Sequence, residues 1–161
     1  MRGIAARDGE KSFAYAFQQF RLARLDIAAG NIDAAAKDLD AAQPTFDSSL
    51  PPKHGLRVQV EVLRGIIARA RGDLVAAQRA LEAAEAQQEA LHGTDPVDLA
   101  IIRMRLAGVL IARGDLAAAH RKLDPSLQLL EATLLPQAVE VLEGRRYRDE
   151  LAQRETASAQ R

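Results

Sequence analysis

The sequence predicts an all-α protein of three stacked helical hairpins closed by a final helix. Three observations carry this. Alanine and leucine dominate the apolar residues, while aromatics make up 4% and Trp is missing. That is the composition of helices packed closely on helices, not of sheets. A near-identical phrase is written three times: "AAGNIDAAA" from Ala28, "ARGDLVAA" from Ala70 and "ARGDLAAA" from Ala112. Finally, the glycines of these phrases, Gly30, Gly72 and Gly114, recur at a constant interval of 42 residues (72 − 30 and 114 − 72). A fixed period in this range is the signature of stacked helical repeats.

Each phrase reads as the turn of a hairpin. A helix approaching the glycine stops there, because Gly tolerates the left-handed conformation that ends helices. The next residue, Asn31, Asp73 or Asp115, is a good N-cap for a new helix. So short a turn forces the two helices antiparallel. Around each glycine the residue types recur in columns. Seven places before it stand Ala23, Gly65 and Ala107; five after it Ala35, Ala77 and Ala119; twelve after it Ala42, Ala84 and Ser126. These small residues let helix backbones approach. Large residues two and nine places after it, Ile32, Leu74 and Leu116 and then Leu39, Leu81 and Leu123, fill the space between pairs.

The elements follow in order. The first hairpin pairs a helix over 12–29 with one over 31–46, the second 56–71 with 73–91, and the third 97–113 with 115–134. Pro44 and Pro125 fall inside second helices. An interior proline removes a hydrogen bond and costs roughly 3 kcal/mol, so a kink or early stop is expected at each. "PQAVEVLEGRRYRDELAQRE", from Pro136, begins where a fourth repeat would begin but has no fourth Gly-Asp phrase and turns polar. It reads as a capping helix over 136–154. The tail "TASAQR" and the opening ten residues are expected to be disordered. The whole chain, 1–161, reads as one domain with repeats over 12–47, 56–91 and 97–134.

Composition also excludes functions. Lys+Arg and Asp+Glu both count 22, so no net field draws nucleic acid or an anionic membrane. There is no cysteine, which removes disulfides and thiol catalysis and agrees with a reducing cytoplasm. "MRGIAARDGEKSF" holds no apolar core for a signal peptide, and no run of 18 apolar residues spans a bilayer. A cytoplasmic protein is expected. No phosphate loop, nucleophile elbow or kinase motif occurs. The carboxylates are spread over helix faces among Arg and Lys. The reading is therefore no enzyme and no cofactor. His54, His92 and His120 lack zinc-ligand spacing, so no metal is expected. Arg71-Gly72-Asp73 and Arg113-Gly114-Asp115 spell a cell-adhesion tripeptide. An adhesive ligand needs an exposed loop, whereas these sit in tight turns, and Gly30-Asn31 breaks the tripeptide while keeping the turn. Arg145, Arg146 and Arg148 flank Tyr147 as a basic cluster, balanced by Glu140, Glu143, Asp149 and Glu150.

The columns resemble the tetratricopeptide repeat (TPR) family, over roughly Ser12 to Leu135. Ala35, Ala77 and Ala119 match its second small place, and Leu39, Leu81 and Leu123 the large residue four places on. The family's usual repeat is 34 residues. These longer ones are similar to the variety in kinesin light chains and in the TPR tails of bacterial serine/threonine kinases and regulators. "LPPKHGLR" from Leu50 and "LHGTDPVDLA" from Leu91 resemble that variety's Gly-x-Asp-His-Pro linkers, each departing in detail.

The resemblance implies a right-handed superhelix whose first helices line a concave groove. It further implies a non-catalytic scaffold that binds a protein or peptide partner there. The groove places, counted back thirteen, ten, six and three from each glycine, are Phe17, Phe20, Arg24 and Ile27; Gln59, Val62, Ile66 and Arg69; and Ile101, Met104, Gly108 and Ile111. Arg24 and Arg69 would anchor a partner's carboxylates, and the apolar side chains would supply contact. So apolar a stripe calls for a cover: a partner helix, a neighbouring domain or a second copy in a homodimer. Burial by the superhelical packing itself is the plainer alternative. Two settings stand beside this reading: the TPR portion of a larger bacterial signalling protein, and a ligand-sensing module holding a small molecule or short peptide.

Overall fold

Seven helices follow one another in a computed structural model that describes residues 12–91, 93 and 95–160; among these there is no strand. They are α1 (Phe13–Ala29), α2 (Ile32–Ser49), α3 (Gly55–Ala70), α4 (Leu74–Glu89), α5 (Pro96–Arg113), α6 (Leu116–Thr133) and α7 (Val139–Ala159). α1 pairs with α2, α3 with α4 and α5 with α6, and each pair packs on the next. The chain is all-α and TPR-like, a helical repeat.

The turns show why the phrase is repeated. Gly30, Gly72 and Gly114 have φ of 81°, 81° and 84°. In each turn the N–H of the glycine and of the residue after it returns to the preceding helix, as in Asp115 N to Leu110 O at 3.0 Å. That double closure is the Schellman arrangement. The Asp73 carboxylate accepts from Ala76 N at 2.9 Å and Asp115 from Ala118 N at 3.1 Å. The adhesion-like tripeptides are thus spent on helix ends. Asn31 departs from its expected role: its amide donates to Asp26 Oδ1 at 3.1 Å and it makes no capping bond.

The columns are contacts. Ala23, Ala35, Ala77, Ala107 and Ala119 are buried, as are Leu39, Leu81 and Leu123. A Cβ built on Gly65 would lie 2.6 Å from Leu81 Cγ, so only hydrogen fits there. The core forms two main packed groups, one among α1, α2 and α3 and one among α4 to α7. Val58, Val62, Ala84 and Ile102 join them.

Three expectations are corrected. Of the kink or early stop expected at Pro44 and Pro125, the stop does not occur; α2 and α6 run through both. Buried side chains on either side, Ala42 and Phe46 and then Leu123 and Leu127, hold the segments helical despite the missing donor. α7 does not end at Arg154 but continues to Ala159, so the tail expected to be disordered is helical up to that residue. Its last turns are exposed. The opening residues and His92 lie outside the described residues.

Candidate partner-binding cleft

The first helices of the three hairpins converge on one cleft of about 450 Å³. α1 contributes Phe20 and Arg24, α3 Val58, Gln59 and Val62, and α5 Asp98, Ile101, Ile102 and Arg105; Asp95 and Glu140 line it as well. Helical periodicity explains the shared wall: Gln59 and Ile101 are equivalent places one repeat apart. Arg24 is exposed and, among the described residues, has no hydrogen-bond or ion-pair partner. Its guanidinium borders a cleft that also holds Asp95, Asp98, Arg105 and Glu140, so both signs of charge line it.

The expected groove residues divide. Phe20, Arg24, Gln59, Val62 and Ile101 border the cleft. Phe17 is partly exposed on α1, where its ring stacks on those of Phe13 and Phe20. Ile27 packs at the edge of the first core group. Ile66 and Arg69 border a separate hollow with Tyr147. Met104, Gly108 and Ile111 are buried and take no part in an open surface.

Two causes separate these positions. The column ten before each glycine, Phe20, Val62 and Met104, is buried throughout, although Phe20 and Val62 still line the cleft. In the third hairpin, α7 also covers what the first two leave open. A Cβ on Gly108 would lie 2.5 Å from Tyr147 Cζ, and one on Gly144 would lie 3.0 Å from Met104 Sδ.

Arg69 does not project freely. It donates to the Tyr147 hydroxyl, and its guanidinium lies 4.8 Å from the ring centroid, a cation–π contact. Tyr147 in turn donates to Glu143 Oε1 at 2.8 Å. Burial, with the Glu143 charge beside it, pushes the Tyr147 hydroxyl above its ordinary pKa, so it stays a donor. Arg105 Nε stands 3.5 Å from Glu143 Oε2 and has no hydrogen bond of its own.

Sequence reasoning missed Arg105, Val58 and Asp98. Arg105 shares its column with Arg21 and Leu63, a place outside the four counted back from each glycine as groove positions. Two histidines serve the scaffold: His54 Nδ1 accepts from Leu56 N at 3.1 Å and caps α3. His120 lies between Asp124 and Glu155. Among the described residues no cluster suits a metal, and no helix is long and apolar enough to cross a membrane. In the basic cluster on α7, Arg145 Nε lies 2.7 Å and Arg148 3.8 Å from Glu131 of α6, not from the carboxylates expected to balance them.

No protein-family model matches the chain, and no curated protein does. Among solved structures it is similar to BtubC (BKLC) from P. vanneervenii, with a TM-score of 0.70 and 24% identity over 84% of this chain. The match covers 55% of that protein, so the chain spans about half its length. At this identity the likeness is one of fold.

Proposed function

We propose that the chain is a non-catalytic scaffold holding a segment of a partner polypeptide in the cleft between α1, α3 and α5. The observation behind this is the convergence of three repeat-equivalent helices on a cleft where Arg24 has no partner of its own. Arg24 meets a carboxylate of the partner, while Val62 and Ile101 supply apolar contact. Arg69, tied to Tyr147, is withdrawn from the anchoring role. From the linker resemblance, the setting we infer is the recognition portion of a cytoplasmic bacterial signalling protein.

The test is affinity capture from a lysate of the source organism with three baits: the parent chain, Arg24→Glu and Ile101→Glu. A specific partner retained by the parent and lost from both variants supports the cleft. Equal capture by all three rejects it.

A second reading has one supporting observation. The cleft volume of about 450 Å³ lies within the range of roughly 300–1,000 Å³ typical of small-molecule pockets. In that case the repeats sense a small molecule or short peptide. A screen by thermal shift separates the two, since a tight small ligand raises the melting point by mass action.

A further inference from the structure

The seams between successive hairpins share their columns, and one column changes sign. Seventeen places after each turn glycine stand Asp47, Glu89 and Glu131; thirty-one places after it stand Glu61, Arg103 and Arg145. In the second and third seams the arginine meets the carboxylate across the joint. Arg103 lies 2.6 Å from Glu89 and 2.7 Å from Glu85. Arg145 lies 2.7 Å from Glu131. Lys122 adds an ammonium on Glu85 at 2.6 Å. The first seam keeps the acceptors, with Gln43 in the column of Glu85 and Asp47 in that of Glu89. Its cations are replaced: Glu61 stands in the column of Arg103, and Ala80 in that of Lys122.

At this first seam lies a hollow of about 310 Å³, lined by Gln43 and Asp47 of α2, Arg57 and Glu61 of α3 and Gln87 of α4. Its polar groups are mostly acceptors. Gln43 Nε2 donates to Asp47 Oδ1 at 2.7 Å, which fixes the orientation of the amide. The Oε1 atoms of Gln43 and Gln87 are both buried and, among the described residues, have no donor. Buried acceptors of this kind are uncommon and costly. Arg57 does not relieve them, because its guanidinium is committed to the carbonyls of Phe46, Asp47, Leu50 and Pro51 and to the Asp47 carboxylate. Arg64 pairs with Glu61 Oε1 at 3.2 Å but does not line the hollow.

We propose that this hollow binds an alkylguanidinium, the arginine side chain of a polypeptide, doing at the first seam what Arg103 and Arg145 do at the later ones. A guanidinium carries five donors and no acceptor, the complement of a wall of amide oxygens and carboxylates. Its planar fork can meet two acceptors at once, as Arg103 meets Glu85 and Glu89. Phe46 and Val60, which also line the hollow, supply apolar surface for the aliphatic stem. The volume lies at the low end of ligand sites, about 300 Å³, which suits one side chain rather than a helix. The hollow shares no lining residue with the cleft between α1, α3 and α5, so the proposal stands apart from the function assigned to that cleft.

The experiment titrates the isotope-labelled whole chain with N-acetylarginine methylamide and follows its amide signals by NMR. Saturable shifts centred on the side-chain amides of Gln43 and Gln87 are expected. N-acetylcitrulline methylamide, of the same shape but uncharged, should bind about tenfold or more weakly. Glu61→Gln should weaken the binding of the arginine probe about fivefold or more. Glu61→Arg, which restores the arginine of the column, should abolish it. Glu150→Gln, a carboxylate removed from α7, should leave it unchanged. No saturable shift would overturn the proposal, as would equal binding of the citrulline probe or indifference to both Glu61 variants. Binding lost in Asp98→Asn but kept in Glu61→Gln would seat the probe in the cleft and overturn it too. Binding of agmatine without binding of the capped arginine would overturn the polypeptide source in favour of a free small cation.

Discussion

The ring of Tyr147 fills the space that a side chain at position 108 would need: a Cβ on Gly108 would lie 2.5 Å from its Cζ and 2.7 Å from its Cε1. From that seat the hydroxyl reaches Arg69 of α3 and Glu143 of its own helix. One tyrosine thus joins α7 to α5 and α3 at once. It also marks where the open cleft ends, because beyond it the inner face of the third hairpin belongs to α7.

Gly108→Ala is therefore expected to destabilise the fold. Alanine is the better helix former by about 1 kcal/mol, but the added methyl must displace a buried, hydrogen-bonded ring. Overpacking of this kind costs about 1–3 kcal/mol. Urea denaturation should show a lowered midpoint; a raised one would mean that Tyr147 swings aside without loss.

Ala77→Leu tests the small-residue column directly. Ala77 is fully buried in the packed group that contains Leu81 and Ala107. The larger side chain should destabilise by about 1–3 kcal/mol. Thermal unfolding identical to the parent would show that the column is not a close contact.

The two kinds of turn residue should behave differently. Asp115 accepts the Ala118 N–H, so Asp115→Ala should cost about 1 kcal/mol as a lost cap. Asn31 makes no such bond, and Asn31→Ala should be close to neutral, within about 0.5 kcal/mol. Equal losses at both sites would contradict the hydrogen-bond assignment.

The end of α7 should respond to pH. His120 Nε2 lies 2.8 Å from Glu155 and Nδ1 lies 3.1 Å from Asp124. Its hydrogen bonds, first to Glu155 and then to Asp124, raise the imidazole pKa. A raised folded value means that the contact is fully present below the ordinary histidine pKa of about 6.5 and is lost as pH rises through the folded value. The ring is 42% exposed, so solvent screening keeps the effect small. Cα chemical shifts of residues 152–159 should lose helical character as pH rises, and His120→Gln should abolish that dependence. A pH-independent profile in the parent would exclude the latch.

Arg57 is a structural hub without any sequence motif to announce it. Its guanidinium donates to the carbonyls of Phe46, Asp47, Leu50 and Pro51 and to the Asp47 carboxylate. It closes the end of α2 and the linker that follows. Arg57→Ala should destabilise by about 1.5–3 kcal/mol, the range for hydrogen bonds to a charged group. Arg57→Lys should rescue only in part, since an ammonium cannot span several carbonyls at once.

The sequence by itself determined the helical repeat: the Gly-Asp turns, the alanine columns and the leucine between them. Each hairpin closes within a short stretch of chain, and each repeat meets the same contacts, so the same residue types must recur at the same interval. The stack's outline is legible because its physics is local and periodic. Only the tertiary structure decided which positions remain open. Arg69 is engaged by a tyrosine 78 residues away, and Met104, Gly108 and Ile111 disappear because α7 folds back over α5. Arg105 enters the cleft from a column that it shares with Arg21 and Leu63. Such contacts join residues that occur once, at no fixed spacing, and periodicity holds no trace of them. What the third hairpin leaves open follows from how the last helix docks, a property of the assembled stack.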